Sequence, residues 1–182
     1  MRWCTVALVG MIVGVAQGQE LWASTRAGMT PDEVVAMVPN AYRAVGGPDF
    51  RAFDEWPGMT LQARVDRVEI LGALARAMFG FTSDGLQRVV LGFETDDMTL
   101  SAFDRQCSTL RAALNARYGP EGSATEDASG TAYSTGEFKR YLWFSGQTQI
   151  QLSCASSVSS LSPNDPILIL GIYYHHVGAS GL

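Results

Sequence analysis

Two adjacent histidines, His175 and His176, are the only imidazoles in the chain, and acidic pairs stand at Asp54-Glu55, Asp96-Asp97 and Glu126-Asp127. Imidazoles suit metal ligation and proton transfer, and two carboxylates facing one bond suit glycoside hydrolysis. Spacing argues against each use. Neighbours on a strand point to opposite faces, so His175 and His176 cannot chelate one ion together. A Ser-His-acid site needs an exposed nucleophile on a sharp turn, yet no Gly-x-Ser-x-Gly occurs and the serines gather at 153–162. Asp96-Asp97 is read as the acidic lead-in to a helix starting near Thr99, and the other two pairs as solvated loops. The chain carries no His-x-x-x-His, no cysteine cluster and no calcium-loop spacing. We therefore assign no catalytic, cofactor-binding or metal-ligating residue.

Cysteine chemistry is more informative. Residues 1–18 read as a cleavable signal peptide: Arg2, an apolar run from Trp3 to Ala16, then Ala16-Gln17-Gly18 with small residues at the −3 and −1 positions of a cut before Gln19. The run is shorter than the roughly 20 residues needed to cross a bilayer, and Cys4 sits at its front, where a lipid-attachment cysteine does not. The expectation is a periplasmic or secreted bacterial protein with no stable membrane anchor after cleavage. Cys107 and Cys154 then remain in an oxidising compartment and are expected to pair. Such a bond closes a loop of about 47 residues, worth roughly 4 kcal/mol in the chain-entropy account. Free buried thiols are the alternative.

The chain holds 18 acidic against 13 basic residues, a formal charge of −5, and its only lysine is Lys139. That balance provides no basic stripe for nucleic acid. With 47% hydrophobic residues, a chain of this length has the material for one core.

The elements follow from local signals. Thr30-Pro31-Asp32-Glu33 is a helix start with cap, first-position proline and capping-box glutamate, and Pro39-Asn40 ends that helix. Residues 39–58 look irregular. Alternation at Val68 and Ile70, at Ala73, Ala75, Ala77, Phe79 and Phe81, and at Val89, Leu91 and Phe93 predicts strands, with Arg88 and Glu94 outside. Gly72 marks one turn, and Thr82-Ser83-Asp84-Gly85 another with Gly85 left-handed. Leu100, Phe103, Cys107, Leu110, Leu114 and Tyr118 recur at helical spacing until Gly119-Pro120. Residues 119–136 read as a long polar loop. Strands resume at Phe138–Phe144 and Thr148–Cys154, and Ile167–His176 reads as a strand covered on both faces.

The order predicts an α+β fold: a single domain over 19–182 made of duplicated helix-plus-three-strand units, halves 19–97 and 98–182, with antiparallel sheet packed against two helices. The Cys107–Cys154 bond would tie the second helix to its sheet. Among the tryptophans outside the leader, Trp143 is expected in the core, while Trp56, in Asp54-Glu55-Trp56-Pro57-Gly58, is the candidate partner contact.

The stretch Trp22 to Val34, containing Gly28-Met29-Thr30-Pro31-Asp32-Glu33-Val34, resembles the Trp-x(n)-Gly-Met-Ser/Thr-x-x-Glu-Val opening of uncharacterised exported bacterial proteins. Phe79-Gly80-Phe81, Asp84-Gly85-Leu86 and the helix end from Leu114 to Pro120 extend the likeness. More distantly, the chain is similar to SmpA/OmlA-type outer-membrane assembly lipoproteins and to the β-lactamase-inhibitor protein. These resemblances imply a module that binds another envelope protein, or a structural one. The alternatives are an enzyme with a dispersed, hydrolase-type site using His175 or His176, and a carrier with an apolar pocket between helix and sheet.

Overall fold

The computed structural model describes residues 21–44, 58–131, 134–159 and 162–178. The leader at 1–18 and the candidate contact Trp56 lie outside the described residues. In chain order the elements are α1 (Pro31–Met37), β1 (Tyr42–Arg43), β2 (Thr60–Ile70), β3 (Ala73–Thr82), β4 (Gly85–Phe93), α2 (Leu100–Tyr118), β5 (Ser123–Thr131), β6 (Ser134–Ser145), β7 (Thr148–Ser159) and β8 (Ser162–His176).

The expected duplication of helix-plus-three-strand units is not what forms. Among the described residues the chain builds one eight-stranded antiparallel sheet in the order β1-β2-β3-β4-β8-β7-β6-β5, with two unequal helices of 7 and 19 residues. Strand content was underestimated because β5 gives no hydrophobic signal. Its sequence, SATEDASGT, has no apolar alternation, yet it pairs along its whole length with β6, from Ser123 opposite Leu142 to Thr131 opposite Ser134. An edge strand needs only backbone bonds on one side, which polar and small residues provide. The short β1, inside the stretch read as irregular, pairs likewise with β2.

Local chemistry sets the helices as expected. The Thr30 side chain accepts from the Glu33 amide and the Glu33 carboxylate accepts from the Thr30 amide at 2.7 Å, which starts α1. Thr99 caps α2, and Gly119 closes it. Both helices bury their apolar side in one continuous core on one sheet face: Val34 and Val38 from the α1 end, Phe103, Cys107, Leu110 and Leu114 from α2. α2 lies against β6, β7 and β8. Cys107 and Cys154 are joined with their Cα atoms 6.2 Å apart, so the bond ties α2 to β7 as expected.

One close approach fastens the N-terminal segment to the sheet. The Gly28 amide donates to the Leu86 carbonyl at 2.9 Å, and the Leu86 amide donates to the Met29 carbonyl at 2.8 Å. Gly85 has φ +92°, and a Cβ there would stand 2.3 Å from the Gly28 carbonyl oxygen. Gly72 has a similar φ of +77° with open space around it. Gly85→Ala is therefore expected to destabilise by about 3 kcal/mol, against about 1 kcal/mol for Gly72→Ala, in urea unfolding. Equal losses would show that the Gly28 contact contributes nothing.

Candidate interaction face

Residues of β8 alternate between two environments. Leu168, Leu170, Ile172 and Tyr174 face α2 and are buried, as are Ile150, Leu152 and Cys154 of β7 and Tyr141 and Trp143 of β6. Trp143 is in the core as expected, its Nε1 donating to Asn115 Oδ1 at 2.9 Å. Burial holds the Tyr174 phenol well above its ordinary range.

The other face has neither helix on it. There Phe144 is 58% exposed, Ile167 67% and Ile169 55%. The expectation that Ile167–His176 is covered on both faces thus fails for its first half. Apolar residues at every position were read as two-sided burial, but only the even-numbered ones meet the core. Farther along this outer face, Met59, Leu61, Met78 and Val90 form a second small buried cluster with Tyr173 beside it. Arg88, expected outside, is on this face but only 5% exposed, its guanidinium 5.8 Å from the Tyr173 ring centre. The Tyr173 ring in turn lies along Gly171, where a Cβ would come within 3.1 Å of it.

His175 and His176 fall on opposite sides, as adjacent strand residues must. His175 is paired across the sheet with Arg88 on β4 and with Gln149 on β7, and His176 with Thr148. Burial, then the Arg88 charge, holds the His175 imidazole below its ordinary pKa of 6.5; the Gln87 backbone opposes this and His176 adds to it. No carboxylate stands opposite His175 in this register.

Two grooves flank α2. The larger, about 730 Å³, is lined by Gly72–Leu74, Glu94, Asp96, Asp97, Met98 and the α2 residues Ala102, Arg105, Gln106 and Thr109. Asp96 and Asp97 thus stand in the lead-in to α2, as read from the sequence. The smaller, about 400 Å³, lies over Cys107 between α2 and the β5–β6 pair. Its charges are mutually engaged: Arg111 binds Glu121 and stacks over Tyr141 at 4.2 Å, while Lys139 Nζ is 3.0 Å from Glu137 and 3.7 Å from Asp104. Glu126 is not a loop residue but accepts from the Tyr141 hydroxyl at 2.9 Å, and burial followed by that bond raises the Tyr141 pKa. Asp54-Glu55 lies outside the described residues. Neither histidine lines either groove.

Among the described residues no three His, Cys, Asp or Glu side chains converge as a metal site, and no helix is long and apolar enough to cross a membrane. No family model, curated protein or solved structure matches the chain. The exposed face was missed in the sequence because β7 carries the decisive signal. Gln149, Gln151 and Ser153 alternate with Ile150, Leu152 and Cys154, which puts the polar side chains of β7 on the outer side and the apolar ones under α2, with Ser153 itself only 6% exposed.

An imidazole depressed in the folded state stabilises the fold in full above its unfolded pKa near 6.5, and that stabilisation is lost as the pH falls through the folded value. The thermal midpoint should therefore drop on acidification below that point, and His175→Gln should remove this component. An unchanged pH slope in the variant would rule out His175 as its source.

Proposed function

We propose that this chain is an exported, periplasmic protein-binding module whose partner, another envelope protein, docks on the outer sheet face. The observation carrying the reading is the exposure of Phe144, Ile167 and Ile169 on that one face, the side that bears no helix. Single exposed apolar residues are unremarkable, but each of these side chains, more than half exposed, leaves about 1–2 kcal/mol of burial unrealised. Ile167 and Ile169 stand side by side on β8 and form one apolar patch that gains by being covered, with Phe144 exposed roughly 20 Å farther along the same face. The Cys107–Cys154 bond supports export, since cytosolic thiols are ordinarily kept reduced. The apolar run before Gln19 and the Trp22 to Val34 opening favour the same compartment.

The reading is tested by placing a photo-crosslinking residue at Ile169, at Phe144 and, on the exposed side of α2, at Thr109, in cells expressing the full chain. Ile169 and Phe144 are expected to capture one common envelope protein that Thr109 does not. The mature product should begin at Gln19 with no free thiol by intact mass. Absence of an adduct from the outer face, or the same adducts from all three positions, would sink the docking reading.

A further inference from the structure

On the outer face β7 carries the small side chains of Ser153, Ala155 and Ser157, and at Ala155 both neighbouring strands carry large ones. Ala155 is paired with Ile169 on β8 and with Phe138 on β6; Ser157 lies between Ile167 and Gly136, and Ser153 between Gly171 and Arg140. The result is a short trough walled on both sides at Ala155, by Ile169 and Phe138, and on one side at Ser157, by Ile167, while Ser153, only 6% exposed, closes it beside Arg140. The Arg140 guanidinium is exposed, stacked 4.8 Å from the Phe138 ring centre, and no described carboxylate pairs with it. Backbone register places Asp127, on the sheet's edge strand, opposite Phe138 at the far rim.

We propose that this trough receives an extended segment of the partner protein, with aliphatic side chains at alternate positions directed onto Ala155 and Ser157 and a carboxylate meeting Arg140. The inference rests on the docking reading above and names the partner's chemistry. Width selects the conformation. Strands stand about 4.8 Å apart, so at Ala155 the walls on β6 and β8 are roughly 10 Å apart between axes, less than the room an α-helix of about 10–12 Å diameter needs between side chains. A single row of downward side chains from an extended chain fits. Length sets its extent: Ala155 and Ser157 lie one alternate-residue step of about 7 Å apart, which takes two such side chains. Charge selects the flank. A ring-stacked, exposed guanidinium that no described carboxylate engages keeps donors available, and a carboxylate is the group that takes two of them at once.

The test uses the full chain and three synthetic peptides: one alternating isoleucine with glutamate, one alternating isoleucine with lysine, and a helix-forming peptide of the first composition. Amide chemical shifts are followed during titration. The glutamate peptide is expected to shift Ala155, Ser157, Ile167 and Ile169 and to bind about tenfold more tightly than the lysine peptide, with Arg140→Glu reversing that order. Because Arg140 is exposed, the variant should melt as the parent does, which separates loss of binding from loss of fold. Equal binding of the two extended peptides, preference for the helical one, or shifts confined to other strands would overturn the inference. Should Ile169 capture an envelope protein in cells while no peptide prefers the trough, the docking reading stands and the extended-segment inference fails.

Discussion

The attachment of α2 to the inner face of β6, β7 and β8 is the constraint from which the rest follows. Phe103, Cys107, Leu110 and Leu114 form one buried stripe, and the stripe meets Trp143, Ile150, Leu152, Leu170 and Ile172. The Cys107–Cys154 bond sits within that contact and closes a 47-residue span, which limits the unfolded chain and lends up to about 4 kcal/mol. Trp143, bonded to Asn115 and to the Gly119 carbonyl, fixes the helix end over β6. With α1 contributing Val34 and Val38 to the same core, both helices are committed to one side.

A sheet covered by helices on one side only must resolve its other side by different means. In the first half it does so internally, with Met59, Leu61, Met78 and Val90 buried beside Tyr173 and Arg88. In the second half, glutamine and serine on β7 keep the surface wettable between isoleucines on β8 and phenylalanines on β6. This division makes a surface that tolerates water yet gains from contact, the composition expected of a non-obligate docking site. The grooves beside α2 differ in kind: in the smaller one Arg111, Lys139 and Tyr141 are each engaged by a carboxylate of the same chain.

What the sequence made legible was whatever depends on local chemistry. The capping box at Thr30 and Glu33, the turn at Gly85, the helical stripe through Cys107 and the pairing of Cys107 with Cys154 all rest on short-range pattern or on simple parity of thiols. Long-range pairing was not legible. β5 forms because β6 offers it a ladder, and a run of serine, threonine, alanine and acids carries no trace of that partner. The repeat inferred from the order of elements failed for the same reason: the sheet is continuous through β4 and β8, and its two ends gain strands, β1 and β5, that hydrophobicity does not mark. The candidate face was half visible. Alternation on β7 was clear, while continuous apolar character at Ile167–Leu170 concealed that only Leu168 and Leu170 are buried.

The most direct measurement is carbene footprinting of the chain, purified and in intact cells that express it, read residue by residue by mass spectrometry. In the purified protein Phe144, Ile167 and Ile169 should label strongly. In the cells their labelling should fall while Thr109 and Arg105 on α2 stay unchanged. Equal labelling of the three in both states, or protection of α2 instead, would contradict the assignment of the outer sheet face as the docking surface.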